Sequence, residues 1–388
     1  MSEKRHAAQL AFALCVITTG VNLQAPLYAT YAKQGGYGLL ATTIAFSCYV
    51  AGVIPILLAL GGLSDRIGRK KVLLIALALS AAGTSLLLAY PHIASVGVAR
   101  FAFGIGTALM SATATAYMIE LVGAAEMTTA ANWVTASTSL GFGLGPALTS
   151  VFLMFRETVA PPSFFLHLAA AAIAVVLVLR LPETAQRSAV RSPMLRLPYF
   201  TREGVWHGSA ILLCWATTGL VISILPSMLA AHGLAKYSGL CAMLAISCGL
   251  LFQPWARTLE PSQSTKLGIL ILLPAYGILA WGAWSGSLVA VLAGSFLTSS
   301  ACYGFVYLGG LAGATWAAGS EKTRASAAFF LMAYIGLSIP VIFTGMVSDR
   351  FGTTAALISF GLLLLIGAAL LLLLPRASYL CEMQARAT

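Results

Sequence analysis

The chain has 388 residues, 59% of them hydrophobic and 9% charged. Soluble domains carry about 25% charged residues, so this composition cannot cover a water-facing surface and a soluble fold is excluded. The formal charge of +11 would point to nucleic acid in a soluble protein. In a membrane protein it reflects the basic bias of loops on one side, and no nucleic-acid partner is expected.

Twelve apolar runs are long enough to cross a bilayer as helices, which satisfy their own backbone hydrogen bonds. They cover roughly residues 7–31, 38–61, 72–90, 94–119, 127–154, 163–181, 205–231, 237–254, 267–285, 287–317, 325–346 and 354–375. The run after Met1-Ser2-Glu3-Lys4-Arg5 is too long for a signal core and reads as the first span. With the N-terminus inside, Lys33, Arg156, Lys236 and Arg350 fall outside and Arg100 falls within a span. The rest of the 22 Lys and Arg residues fall inside. This asymmetry supports the span count and an orientation with both termini in the cytoplasm; the expected location is the cell's inner membrane.

Pro182 to Gly204 is rich in Arg, Pro and Ser and has no sustained apolar run. Residues 182–204 read as a cytoplasmic linker joining a six-helix bundle over 1–181 to a second over 205–388. An offset of 200 residues pairs Tyr37 with Tyr237, Ser47 with Ser247, Cys48 with Cys248, Gly68 with Gly268 and Gly104 with Gly304. The ungapped register through spans two and eight argues for duplicated halves. Parallel halves place a substrate cavity at their interface near the bilayer midplane.

Span one is interrupted by Asn22, Gln24, Tyr28 and Tyr31. At 100° per residue Asn22 and Gln24 point about 200° apart, so both face one cavity only if Pro26 bends the helix. Span two runs into Gly61-Gly62-Leu63-Ser64-Asp65-Arg66-Ile67-Gly68-Arg69-Lys70-Lys71. The glycines permit a tight reversal. Asp65 can accept from backbone N–H groups or pair with Arg69 one turn on.

Arg100 lies in span four, where an unpaired charge costs about 2.5–3.5 kcal/mol on insertion scales. Two readings stand: a functional cation inside the membrane, or an Arg reaching out to the interface. Glu120 ends the same span, as a gating partner or as an interfacial carboxylate. Gly141, Gly143, Gly145 and Pro146 thin span five and loosen it. No acid falls mid-span. His167 in span six reads as a packed or interfacial histidine. Asp349-Arg350 follows span eleven, bracketed by Gly345 and Gly352 as Asp65-Arg66 is by Gly61 and Gly68. It reads as an outer turn rather than a second latch. Of the seven cysteines, all but Cys381 sit in apolar segments without a CxxC pair, so neither a disulfide frame nor a metal site is expected.

The stretch from Gly61 to Lys71 resembles the loop between the second and third transmembrane helices of the major facilitator superfamily, with pattern G-x-L-a-D-r-x-G-r-k-x. Gly62, Asp65, Arg66, Gly68 and Arg69 supply the match. Arg100 to Gly106 resembles that family's fourth-span pattern R-x-x-x-G-x-G, with Phe103 where Gln is frequent. Gly141, Gly145 and Pro146 resemble the span-five pattern of exporting members, although Thr149 and Ser150 stand where its closing Gly is expected. The resemblance implies the major facilitator fold, twelve helices in two pseudo-symmetric bundles, and specifically the drug/proton antiporter branch. It implies proton transfer at Arg100. It further implies a cytoplasmic latch of Asp65, Arg69 and Glu120 in the outward-open state, with Asp65 near the start of span eleven. Its geometry lines the cavity with spans one, four, seven and ten, where Asn22, Gln24, Tyr28, Ser111, Thr115, Trp215, Thr218, Tyr303 and Tyr307 are the candidates. The absent mid-span acid leaves the coupling ion open.

No G-x-x-x-x-G-K-[ST] loop is present, so ATP drive is not expected. No Ser/His/Asp or metal-ligand spacing stands out, so neither an enzyme nor a metal or other cofactor is expected. The expected function is a monomeric secondary transporter exporting a small organic molecule against protons. The alternative is an importer or facilitator of a nutrient or metal chelate; a non-transporting membrane protein ranks behind both.

Overall fold

The computed structural model describes residues 2–184, 194–195 and 197–373. Among these, all regular structure is helical. Twelve helices are long and apolar enough to cross a membrane: Lys4–Gln34, Leu39–Ala59, Arg69–Ala89, Ile93–Val122, Met127–Phe155, Pro162–Arg180, Arg202–Ala230, Ala235–Ala256, Pro261–Ser285, Leu288–Trp316, Gly319–Phe351 and Thr353–Leu373. They are spans one to twelve. Much of the expected linker and the end of the chain lie outside the described residues, and with them Arg187, Arg191, Arg196, Arg376, Cys381, Glu382 and Arg386.

Burial sorts the spans into centre and rim. The most apolar window is 89% buried in span one and 83% in span seven, but 33% in spans six and twelve. Phe165, Ile173 and Leu179 of span six and Leu362, Ile366 and Leu370 of span twelve are exposed. In water each would forfeit about 1.5–3 kcal/mol of burial; against lipid tails the exposure costs little.

The duplicated register carries into space. Gly104 of span four lies under the Tyr49 carbonyl of span two, and Gly304 of span ten lies against the Gly249 carbonyl of span eight. Both partners shift together. The same offset relates two helix breaks. Span one stops being regular after Asn22 and resumes through a short helix containing Pro26; span seven breaks at Ile224 and resumes through Leu225–Ala230, containing Pro226.

The signature loop is not a bare hairpin. Leu63–Ile67 forms a short helix, and Gly68, at φ 103°, turns the chain into span three. Gly352, at φ 86°, ends span eleven the same way. Span eleven continues past the expected 346 to Phe351, so Asp349 stands in the last helical turn. Its backbone is already hydrogen-bonded within the helix, which frees the carboxylate to reach elsewhere.

The halves meet along two seams. Spans five and eight touch almost backbone to backbone: Gly239 N–H donates to Ser150 Oγ at 2.9 Å, Ser247 Oγ donates to the Ser139 carbonyl at 2.7 Å, and Arg257 donates to Asn132 Oδ1 at 3.2 Å. Spans two and eleven meet through Tyr49 and Tyr334, whose rings are 6.3 Å apart, and through Asp349, which accepts from Leu39 N–H at 2.8 Å and Leu40 N–H at 3.0 Å.

The end carrying Arg66, Arg69, Lys70 and Lys71 is here called the basic end. At the opposite, far end, residues 16–28 of span one and 213–226 of span seven are all buried. Towards the basic end Ala8 and Phe12 of span one and Ser111 and Thr115 of span four are exposed. The interior therefore opens at the basic end and is sealed at the far end.

Candidate functional site

Among the described residues, Arg100 is the largest fully buried side chain, 1% exposed. That removes the reading in which it reaches the interface. Its Nε donates to the Phe46 carbonyl at 3.1 Å, and Nη1 donates to the Val21 carbonyl at 2.9 Å and to Asn22 Oδ1 at 3.0 Å. The guanidinium carbon lies 4.4 Å from the Phe46 ring centre and 4.7 Å from that of Tyr49. The break in span one supplies the Val21 and Asn22 acceptors, and span two supplies the Phe46 carbonyl. The Val21 carbonyl lies where the regular helix ends, and it also accepts from Gln24 Nε2 at 3.0 Å. Each hydrogen bond to a charged donor contributes about 1.5–3 kcal/mol, and each ring face about 0.5–2 kcal/mol. Together they offset the insertion cost of the cation with no ion pair among the described salt bridges.

The latch residues come together, but inside the first half. Arg69 pairs with Asp65 at 2.5 Å and with Glu120 at 2.9 Å, and also donates to Ser64 Oγ. Thr184 donates to Glu120. This cluster is assembled while the basic end is open, so its assembly alone does not mark closure of that end. Arg66 is exposed, and Gly62 and Gly68 flank the short helix as N-cap and C-cap.

Glu183 is a residue that sequence reading passed over as linker. It accepts from Arg69 N–H at 2.9 Å and Lys70 N–H at 3.2 Å, capping span three. First-turn N–H groups lack helical partners and favour a carboxylate. The signal available was an acid directly after Pro182, where a helix has just ended.

Gly141 and Gly145 of span five both press on span one, at the Cys15 and Thr19 carbonyls. Asn22 Nδ2 donates to the Phe142 carbonyl at 3.2 Å. Gly143 and the Pro146 carbonyl face the other way, onto Met243, Ser247 and Gly239 of span eight. The motif thus thins two faces rather than one, and span five lies between span one and span eight.

The nine cavity candidates divide. Asn22, Gln24, Tyr28 and Thr218 are buried at 4%, 0%, 0% and 1% exposure. The first two hold Arg100 and the break in span one, Tyr28 meets Gln24 at 3.3 Å, and Thr218 bonds back to its own helix. In this conformation they belong to the seal, not to an open lining. Ser111 and Thr115 are exposed one turn apart, and Tyr303 and Tyr307 keep partial exposure. Trp215, 9% exposed, lies 6.2 Å from the Tyr303 ring and 5.2 Å, edge-on, from Tyr334. Its Nε1 has no hydrogen-bond partner. Span ten passes Tyr303 as a π-helix over Ser300–Val306, an irregularity frequent at functional sites. His167 is a packed histidine: its Nε2 faces the Val16 carbonyl at 3.1 Å and its Nδ1 faces Thr84 Oγ1 at 3.0 Å.

With this arrangement in view, the sequence pattern of the Major Facilitator Superfamily matches residues 10–339. The chain belongs to that superfamily. It is accordingly a multi-pass membrane transporter for small molecules. No curated protein matches it in sequence. Among solved structures it resembles the nucleoside transporter NupG (15% identity, TM-score 0.74, covering 96% of this chain and 98% of the other). It also resembles an inward-facing, unoccupied bacterial homolog of the human lysosomal transporter Spinster (13%, 0.72, 96% and 96%). A third likeness is to the human organic anion transporter MFSD10 (18%, 0.61, 96% and 100%). At these identities the likeness is one of fold.

For a member of the superfamily, the aromatic cluster is wider than spans one, four, seven and ten. Tyr49 comes from span two, and Phe330 and Tyr334 come from span eleven; Phe330 lies 6.1 Å from Tyr307. Reading spans one, four, seven and ten alone missed them. For Tyr49 and Tyr334 the signal was a hydroxyl-bearing ring in an otherwise apolar span; Phe330 carried none.

Proposed function

We propose that the protein is a secondary active transporter of a cell's inner membrane, exporting a small organic molecule by alternating access in exchange for protons. The observation that carries this reading is Arg100. It is a buried cation held by carbonyls and ring faces within the sealed far-end region, while span-one and span-four residues towards the basic end are exposed. With the basic end cytoplasmic, substrate loads from inside. Arg100, coupled to span one through Asn22 and thence to span five, then links any change in protonation to movement of the span-one break. The drug/proton antiporter branch is supported by the motifs of spans four and five. Asp65, Arg69 and Glu120 hold the loop ready to dock on span eleven when the basic end closes.

Among the described residues, the cavity candidates that keep exposure are Ser111, Thr115, Tyr303 and Tyr307, with Trp215 and Tyr334 beside them, and none carries a charge to balance a cationic substrate. A flat, neutral or anionic amphiphile suits this lining. Transporters of nucleosides and of organic anions share the fold, which is compatible with such cargo. The second reading, an importer or facilitator, draws on one observation: no described Asp or Glu lies mid-span to carry a coupling proton.

The test is collapse of a pH gradient in energised inside-out vesicles across drugs, nucleosides, organic anions, chelators and sugars. Substrate-dependent collapse that Arg100→Ala abolishes supports proton-coupled export. Uptake into right-side-out cells without gradient collapse supports the importer instead.

A further inference from the structure

Spans two and eleven run antiparallel, and each ends in the same pattern. Gly61-x-x-x-Asp65-Arg66-x-Gly68 closes span two at the basic end, and Gly345-x-x-x-Asp349-Arg350-x-Gly352 closes span eleven at the far end. Gly68 and Gly352 share the positive φ that turns the chain after the acid. The two acids therefore stand at opposite ends of one helix pair, one supplied by each half.

Asp349 already has its target. Both carboxylate oxygens accept from the first-turn N–H groups of span two, from Leu39 at 2.8 Å and Leu40 at 3.0 Å, across 310 and 309 residues. The N-cap of that helix is Gly38, which has no side chain to do so itself. A Cβ at Gly38 would collide with the Asp349 carboxylate. Close by, Gly345 lets span eleven approach Thr43 and the Leu39 carbonyl. The contact is exposed, so water can take over the N–H groups when the carboxylate leaves. An exposed charge-assisted cap of this kind is strong enough to bias an equilibrium and weak enough to release.

We propose that Asp349 is a far-end clasp: its carboxylate, by capping span two, holds the two halves shut at the far end and has to let go before that end opens. The assignment rests on the alternating-access reading above but on neither the direction of transport nor the cargo. Asp349 acts through helix position, and it touches no substrate.

The test uses the full chain in lipid nanodiscs, with its cysteines replaced and spin labels at Gln34→Cys and Ser285→Cys, exposed far-end positions on different halves. Asp349→Asn keeps the side-chain shape but loses the charge and one acceptor. Gly38→Ala adds one methyl at an ordinary backbone conformation (φ −84°) and displaces the carboxylate from the other side. Each is expected to raise the population with a long label-to-label distance by about twofold to thirtyfold, the range for loss of a cap. The double variant is expected to do no more than the larger single effect, because both break one contact. A distance distribution in Asp349→Asn identical to the parent, or single effects that multiply in the double variant, overturns the clasp. The measurement needs no substrate or proton gradient. A clear shift in a protein that exports nothing would refute the export reading and leave the clasp standing.

Discussion

Arg100 Nη1 bonds Asn22 Oδ1 at 3.0 Å, tying span four to the point where span one breaks. The same asparagine donates to span five through the Phe142 carbonyl. One amide thus joins the buried cation to both helices that flank the cavity wall. Asn22→Asp would place a carboxylate against the guanidinium and hold it as an ion pair. The expected outcome is a folded protein that binds substrate but turns over at least about tenfold more slowly, since an ion pair buried in low dielectric is costly to separate. Paired binding and flux assays in proteoliposomes check it, and flux at the parent rate would show that Arg100 does not need to move.

Arg100→Lys is expected to fail as a replacement. An ammonium cannot present the planar fork that reaches two carbonyls and an amide, nor lie flat between Phe46 and Tyr49. Loss of proton-coupled flux with retained expression is the expected result; full activity with Lys would reduce the role of Arg100 to charge alone.

The basic-end cluster gives a kinetic prediction. Asp65 and Glu120 are partly exposed, with 31% and 30% side-chain accessibility, so their pairs with Arg69 stabilise the fold by no more than about 1 kcal/mol. Asp65→Asn should therefore barely move the melting temperature and leave substrate affinity near normal, while slowing transport several-fold. Parent-like transport in this variant would remove the latch.

Trp215 separates packing from recognition. Trp215→Phe deletes a buried donor that has no partner, so stability should hold or rise slightly. Trp215→Ala leaves a cavity and should cost about 3–5 kcal/mol. If the indole N–H meets substrate, Trp215→Phe raises KM with little change in kcat. An unchanged KM would return Trp215 to the hydrophobic core.

Much of the fold was legible because a bilayer leaves few options. A run of about 20 apolar residues has to be a helix there, and the 200-residue offset that pairs Gly104 with Gly304 pointed to duplicated halves. The site was less legible. Asn22 and Gln24 stood out as polar residues in an apolar span, but their direction depended on a helix break whose geometry is decided by packing against Arg100. Asp349 was visible as a repeat of Asp65, yet its reach to Leu39 requires knowing that spans two and eleven are neighbours. That contact spans 310 residues, beyond what spacing along the chain can register. Tyr49 and Tyr334 were hidden for the same reason, since a ring in a span is packing until its neighbour is known.

The nearly bare contact of spans five and eight has a consequence for cargo size. The two backbones meet directly at Gly239 and the Pro146 carbonyl, with the small side chains of Ser150 and Ser247 beside the contact, so little there can yield. In the alternating-access cycle proposed above, that side would act as the fulcrum and a rigid wall. A bulkier cargo has to find its room on the opposite side, where Tyr49 and Tyr334 can swing aside. Changes that widen the range of accepted molecules should therefore arise among the aromatic residues of spans two and eleven, and the fulcrum should tolerate almost none.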